Sequence, residues 1–166
     1  MRTTTFITLP IALFALSGCG AEVPTDPHQM QAGNWEISMT TTSYDVPGAT
    51  AEMLETIAQG ANVGEAQISE QCMSQAEADK GAEGLVEAFK NGSCTDQDVT
   101  VTGGNVAASM QCRIPFFDGK SPVTLTGTIA NEIFELQMSS DLTMEEFPEG
   151  KATMVMEIKG QRKGDC

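Results

Sequence analysis

The chain contains very little histidine, few aromatic residues and no long hydrophobic run. Its single histidine is His28, close to the amino terminus, so the rest of the chain lacks the commonest general base and metal ligand. The apolar run over residues 6–16 is shorter than the roughly 20 residues that a transmembrane helix needs, and no other segment approaches that length. The sequence therefore argues against a membrane-spanning protein and against catalysis that depends on histidine.

Basic residues are also scarce. The chain has 9 Lys and Arg against 23 Asp and Glu, which gives a formal net charge of −14. Nucleic acids and anionic headgroup surfaces both attract proteins with a basic face. We therefore expect no nucleic-acid partner, and we interpret the acidity as a solubilising surface.

The amino terminus resembles the leader of a bacterial lipoprotein. Arg2 is the one charged residue before Cys19, and the apolar run that follows it ends in Leu16-Ser17-Gly18-Cys19. This order is typical of a secretory signal peptide, here residues 1–18, and the last four residues resemble a lipobox. The resemblance implies that Cys19 is lipidated and holds the protein to a membrane. Gly20 stands where an inner-membrane retention signal would place Asp, which favours the outer membrane, facing the periplasm.

The sequence divides into three parts. Residues 1–18 form the predicted signal peptide, and residues 19–33 form the lipidated cysteine and a flexible tether that contains Pro24 and Pro27. Residues 34–166 are long enough for one small domain with a modest core.

Four further cysteines predict two disulfides. They are Cys72, Cys94, Cys112 and Cys166, an even number in a chain predicted to be exported. Gly103-Gly104 indicates a hairpin that brings Cys94 and Cys112 together, which favours Cys94–Cys112 with Cys72–Cys166. Cys72–Cys94 with Cys112–Cys166 remains the alternative. A zinc site is disfavoured because the chain has no Cys-x-x-Cys pair.

Apolar and polar residues alternate along most of the domain. The alternation begins at Trp35, resumes around Val99 and continues to Ile158, with turn residues at regular intervals. Thr50 and Ser74 stand at helix starts, the second in a capping box with Glu77, and Gly81 and Gly84 weaken that helix. The sequence predicts a mainly β (α+β) fold: a curled antiparallel meander of about seven strands with one or two short helices and two disulfides.

Several short motifs resemble the exported bacterial family known as domain of unknown function 3617. The motifs span residues 33–166 and are Gly33-Asn34-Trp35-Glu36, Pro47-Gly48, Cys72-Met73-Ser74, Cys94, Gly103-Gly104, Met110-Gln111-Cys112 and Gly160 to Cys166. The resemblance implies a periplasmic, disulfide-stapled, mostly β domain, and it implies no catalytic residue.

Methionine is abundant on the predicted inner face. Five methionines occupy inward positions: Met39, Met110, Met138, Met154 and Met156. Core packing is the first interpretation, since methionine fills irregular cores, and a soft-metal site or an adaptable apolar pocket are the alternatives. We assign no metal or cofactor.

Carboxylate pairs are the remaining candidates for catalysis. Glu145-Glu146 lies at a predicted turn, and Asp96 and Asp98 lie near a strand start, so both pairs are interpreted as surface charge. We recognise no catalytic motif and predict that the protein is not an enzyme.

Three functions follow from these observations, in order of preference. The first is a non-enzymatic binding or envelope-associated domain with a protein partner. The second is a carrier of an apolar ligand in a curled sheet, and the third is a hydrolase that uses carboxylates alone.

Overall fold

The computed structural model describes residues 26–89, 94–115, 117 and 119–166. The elements of the described chain are β1 (Gly33–Asp45), α1 (Ala51–Gly60), β2 (Ala66–Met73), α2 (Gln75–Ala78), α3 (Gly81–Phe89), β3 (Cys94–Thr102), β4 (Asn105–Cys112), β5 (Ser121–Ile129), β6 (Ile133–Thr143) and β7 (Lys151–Gly164). The predicted α+β class and the seven strands are confirmed. The described residues form three helices instead of one or two.

All seven strands form one open antiparallel sheet in the order β2-β1-β7-β6-β5-β4-β3. Strands β3 to β7 follow one another as the predicted meander. Strand β1 pairs with β7, the last strand of the chain, and β2 pairs with the free side of β1. Strands β2 and β3 are therefore the edges of the sheet.

The sheet has an apolar inner face that holds most of the core. At its centre the rings of Trp35 and Phe134 stack with their centroids 5.6 Å apart. Gly160 pairs with Phe134 on the neighbouring strand, and a Cβ at Gly160 would stand 2.1 Å from the Phe134 ring. Gly160 thus makes room for the aromatic pair.

Helices α2 and α3 cover part of this inner face. The sequence predicts one helix here, but Gly81 has a φ of +53°, a left-handed conformation that glycine adopts easily, and the helix is divided there. The predicted capping box is present, because Ser74 and Glu77 each accept from the other's backbone amide. Ala78 of α2 and Ala82 of α3 are buried in the core that the helices share with the sheet.

Helix α1 is less firmly packed. Thr50 caps it as predicted, since its side chain accepts a hydrogen bond from the amide of Met53. None of its residues is buried, and Ile57 is half-buried against the far end of the core. No helix within the described part of the chain is long and apolar enough to cross a bilayer.

The amino-terminal segment is packed against the sheet. Met30, Gln31 and Ala32, which the sequence assigns to the tether, are buried, and Met30 is 1% exposed. The Asn131 side chain donates to the carbonyl oxygen of Gln29 at 2.6 Å, and Arg162 Nε donates to that of Ala32 at 2.8 Å. Ordered structure therefore begins before residue 34, while residues 1–25 lie outside the described residues.

Both disulfides have the favoured pairing. Cys72–Cys166 links the edge strand β2 to the last residue of the chain, and Cys94–Cys112 joins directly opposed residues of β3 and β4. The alternative connectivity is thereby excluded.

Candidate ligand-binding cavity

The register of the sheet gathers methionines at one end of the inner face. Met138 on β6 pairs with Met156 on β7, and the next inward pair is Ser140 with Met154. On β4 and β5, Met110 pairs with Val123. These residues share one face because each strand contributes every second position.

The side chains at this end of the face enclose a cavity of about 300 Å³, which we call the methionine cavity. This volume is at the lower end of the range typical of small-molecule sites, roughly 300–1,000 Å³. Its lining is almost entirely apolar and consists of Cys94, Met110, Cys112, Arg113, Ile114, Pro115, Val123, Leu125, Met138, Ser140, Met154 and Met156. Unbranched thioether side chains adapt their shape readily, so such a wall can accommodate ligands of varied outline.

The mouth of the methionine cavity lies beyond the end of β4. Arg113 and Pro115 are the exposed residues of its described lining, and Ile114 is half-buried between them. The Cys94–Cys112 disulfide forms the wall next to this mouth. One side of the entrance is therefore fixed covalently, whereas the opposite wall is built from methionine side chains.

Ser140 places a hydroxyl in this apolar wall. The residue is 0% exposed, and its Oγ makes no hydrogen bond with the described residues. Its cross-strand neighbours on the same face are Val123 and Met154, neither of which carries a strong hydrogen-bonding side chain. A buried hydroxyl without a partner costs about 1–3 kcal/mol, so this position carries a polar group that a purely structural core would not favour.

Tyr44 holds Met154 from the neighbouring strand. Its hydroxyl donates to the Met154 Sδ atom at 2.9 Å. Burial of the phenol raises the pKa of Tyr44 above its usual value, so the hydroxyl stays protonated and able to donate. The sulfur of Met154 is thus held by a hydrogen bond from the neighbouring strand.

A second cavity lies on the same face, between helices α2 and α3 and the sheet. It has a volume of about 480 Å³, and its floor includes Ile37, Leu136 and Ile158. Leu136 and Ile158 are each two residues from Met138 and Met156 on their strands, so the two cavities are neighbours. The inner face is therefore incompletely filled by the described side chains.

Charged side chains surround this second cavity. Lys80 Nζ and Glu87 Oε2 are 2.9 Å apart, and the hydrogen bond to Glu87 raises the pKa of Lys80. Hydrogen bonds from the Ser74 hydroxyl and amide lower the pKa of Glu77. Glu77 and Lys80 therefore remain charged near neutral pH, and the second cavity has a polar rim with both signs of charge.

His28 lies at the opposite end of the sheet. It is exposed, and its ring lies over the Gly103-Gly104 turn, where a Cβ at Gly104 would stand 2.4 Å from Nδ1. Together with that turn and Ile133 it lines a third cavity of about 350 Å³. His28 belongs to the docked amino-terminal segment and does not line the methionine cavity.

The carboxylates considered from the sequence are on the surface. Glu145 and Glu146 are exposed in the turn between β6 and β7, and Asp96 and Asp98 are exposed on β3. None of the four lines any of the three cavities. Within the described chain, no cluster of three or more His, Cys, Asp or Glu side chains is arranged to hold a metal ion.

The other predicted residues fall into three groups. The four cysteines form the two predicted disulfides, and Cys19 lies outside the described residues. Of the five inward methionines, Met110, Met138, Met154 and Met156 line the methionine cavity, whereas Met39 lines the second cavity.

Two polar residues of the methionine cavity, Ser140 and Arg113, are not identified by the sequence analysis. Ser140 occupies an inward position of β6, between Met138 and Leu142, and this polar interruption of an apolar series is the signal that could have identified it. Arg113 carries no comparable signal, because its relation to the cavity arises only when β4 and β5 are paired.

One comparison with known proteins identifies a family. The model of a family described as Protein of unknown function (DUF3617) matches residues 30–166. The match begins at Met30, where the buried part of the amino-terminal segment also begins. Neither a search of curated proteins nor a search of solved structures found a match.

Proposed function

We propose that the chain, which belongs to the DUF3617 family, is a non-enzymatic binding domain of the bacterial cell envelope that holds an apolar ligand in the methionine cavity. The cavity is the observation that carries this proposal. Of the hypotheses from the sequence, the apolar carrier is the one that an unfilled inner face favours.

The composition of the cavity wall supports binding of an apolar molecule. Ligand sites are concave and mostly apolar, with a few polar groups that orient the ligand. The methionine cavity has this composition, with Ser140 inside and Arg113 at the mouth. Burial of an apolar ligand contributes about 25 cal/mol of binding free energy for each Å² of apolar surface removed from water. An apolar molecule enclosed here therefore gains affinity without any catalytic group.

The enzymatic alternative has less support. A hydrolase that uses carboxylates needs two of them to converge on the substrate. The two candidate pairs are exposed, and the methionine cavity is lined by no Asp or Glu among the described residues. We therefore retain a binding role.

We further propose that Cys19 carries the lipid that holds the domain at the outer membrane, facing the periplasm. The support is the lipobox-like segment that ends in Cys19, together with Gly20 after it. Cells that produce the full chain should incorporate an alkyne-labelled fatty acid into the protein, and Cys19→Ala should abolish the label. Label that persists in Cys19→Ala would contradict the anchor.

Photolabelling tests the binding role directly. A detergent-free lysate of cells that produce the full chain is treated with decanol that carries a diazirine on its chain, irradiated, and digested for mass spectrometry. We expect labelled peptides from the methionine cavity, with insertion near Met110, Met138, Met154 or Met156. Excess unlabelled decanol should remove this label.

A pair of variants on β6 provides the control. Ser140→Leu fills part of the cavity, whereas Ser139→Leu makes the same change at the next position, which faces the other side of the sheet. We expect about a tenfold loss of cavity labelling in Ser140→Leu and little change in Ser139→Leu. Equal labelling of both variants, or labelling confined to exposed strands, would refute the proposed function.

A further inference from the structure

We propose that the ligand of the methionine cavity is a single-chain anionic amphiphile, with its chain inside the cavity and its head group at Arg113. This inference rests on the proposed function and specifies the chemical class of ligand. The support comes from the position of Arg113, the charge distribution and the size of the cavity.

Arg113 is the cation at the mouth. Strands β4 and β5 end their pairing with Cys112 opposite Ser121, and Arg113 follows directly after β4. Arg113 is exposed and lines the cavity. Lys120 precedes β5 and does not line the cavity, because its Nζ donates to Thr95, which pairs with Gln111 on the other face of the sheet.

Arg113 is available to a ligand. It makes no hydrogen bond or ion pair with any other residue that the structure describes. Lys120, in contrast, donates from Nζ to the Thr95 hydroxyl at 2.8 Å, and that hydroxyl donates to the Asp96 carboxylate at 3.0 Å. The guanidinium of Arg113 is therefore left without a carboxylate from the described chain.

The overall charge makes this arrangement unusual for the molecule. The chain has 9 Lys and Arg against 23 Asp and Glu, yet a cation with no described partner lines the mouth of the methionine cavity. Guanidinium groups bind carboxylate and phosphate through paired hydrogen bonds. An anionic head at the mouth would meet Arg113 while the rest of the molecule stays in the apolar interior.

The size of the cavity favours one short chain. A molecule of water fills about 30 Å³ in the liquid, so a cavity of about 300 Å³ has room for roughly ten atoms of similar size. A chain of about ten carbons fits this space, whereas two acyl chains do not. The adjoining second cavity would admit a longer single chain if the side chains of Met138 and Met156 moved aside.

The polar group within the cavity does not suit a charged head. The position of Ser140, beyond the mouth and among apolar neighbours, offers a hydrogen bond but no charge. A carboxylate placed there would be desolvated without a cation, which is strongly unfavourable. The charged end of the ligand therefore belongs at Arg113.

A comparison of charged and neutral probes tests this inference. In the same detergent-free lysate, diazirine-labelled decanoate and decanol are compared by the concentration that gives half-maximal labelling of the cavity. An exposed ion pair contributes up to about 1 kcal/mol, which corresponds to about a fivefold preference for the anionic probe. We expect decanoate to bind about fivefold more tightly than decanol, and 0.5 M salt to reduce this preference.

Variants assign the preference to the mouth. Arg113→Gln should weaken decanoate labelling about fivefold and leave decanol labelling unchanged, which also shows that the variant is folded. Lys151→Gln removes an exposed cation at the start of β7, away from the cavity lining, and should change neither. Competition by unlabelled decanoate and decyl phosphate shows whether the preferred head is carboxylate or phosphate, and either preference supports the inference.

The failures of the two proposals are distinguishable. Equal labelling by decanol and decanoate, or the same response of Arg113→Gln and Lys151→Gln, would overturn the anionic head and leave the apolar binding role intact. Absence of cavity labelling with both probes would overturn both proposals.

Discussion

Replacement of Ser140 by alanine should stabilise the ligand-free protein. The Ser140 hydroxyl is buried and has no hydrogen-bond partner among the described residues, a situation that costs about 1–3 kcal/mol. Removal of the oxygen enlarges the cavity by about 20 Å³, which at about 24 cal/mol per Å³ costs about 0.5 kcal/mol. We therefore expect Ser140→Ala to raise the free energy of unfolding by about 1 kcal/mol.

Urea unfolding of the purified, oxidised protein measures this difference. A gain of about 1 kcal/mol moves the midpoint upward by about 0.5 M for a slope of about 2 kcal/mol/M, with the slope unchanged. Ser139→Ala is the matched control, since Ser139 lies on the same strand with its side chain on the other face. A loss of more than about 1 kcal/mol in Ser140→Ala would show that the hydroxyl has a stabilising partner and would refute the argument.

Three further predictions concern the fold. Replacement of Cys72 and Cys166, which close a loop of 94 residues, should lower the free energy of unfolding in urea by about 4.6 kcal/mol. Replacement of Cys94 and Cys112, which close a loop of 18 residues, should lower it by about 3.2 kcal/mol, and the reverse order would contradict the loop-entropy argument. Gly160→Ala should lower the free energy of unfolding by about 1–3 kcal/mol through its clash with the Phe134 ring, and an unchanged urea midpoint would show that the ring can move aside. Hydrogen bonds from Ser74 lower the pKa of Glu77 in the folded state. The ionised carboxylate therefore contributes to the free energy of unfolding above its usual pKa near 4.3, and this contribution is lost as the pH falls through the lower pKa of the folded state. Thermal melts should therefore show the advantage of the wild type over Glu77→Gln shrinking below pH 4.5, and a constant difference down to pH 2 would argue against this.

The sequence predicts the strands and the disulfides because local chemistry determines both. In β6 the inward positions Phe134, Leu136 and Met138 alternate with polar residues, as a half-buried strand requires. Gly103 and Gly104 both adopt positive φ in the turn between β3 and β4, which aligns Cys94 with Cys112.

Features that depend on distant contacts are not predicted from the sequence. The pairing of β1 with β7 joins opposite ends of the chain, and no local pattern specifies it. The sequence around Met30 predicts a polar tether. In the fold Met30 is buried, because Asn131 and Arg162 donate hydrogen bonds to the backbone of this segment. Helix propensity predicts that Gly81 and Gly84 shorten or break the second predicted helix, and the left-handed backbone at Gly81 determines where it divides.

The candidate cavity is predicted only in part. The inward methionines are recognisable from their period of two, but a packed core and a cavity have the same pattern. The difference arises from how far the helices and the loop beyond β4 cover the face, which is a matter of tertiary structure. Arg113 becomes a candidate ligand-binding residue because the fold places it, directly after β4, at the mouth of the cavity.

The most direct test of the central claim is methyl NMR of the purified protein with ¹³C-labelled methionine methyl groups. On titration with decanoate, we expect the resonances of Met110, Met138, Met154 and Met156 to shift together and to saturate at one equivalent. Met53 on α1 does not line the methionine cavity and should stay unchanged. Unshifted cavity methionines at saturating decanoate, or equal shifts at Met53, would contradict the claim that the cavity is a ligand-binding site.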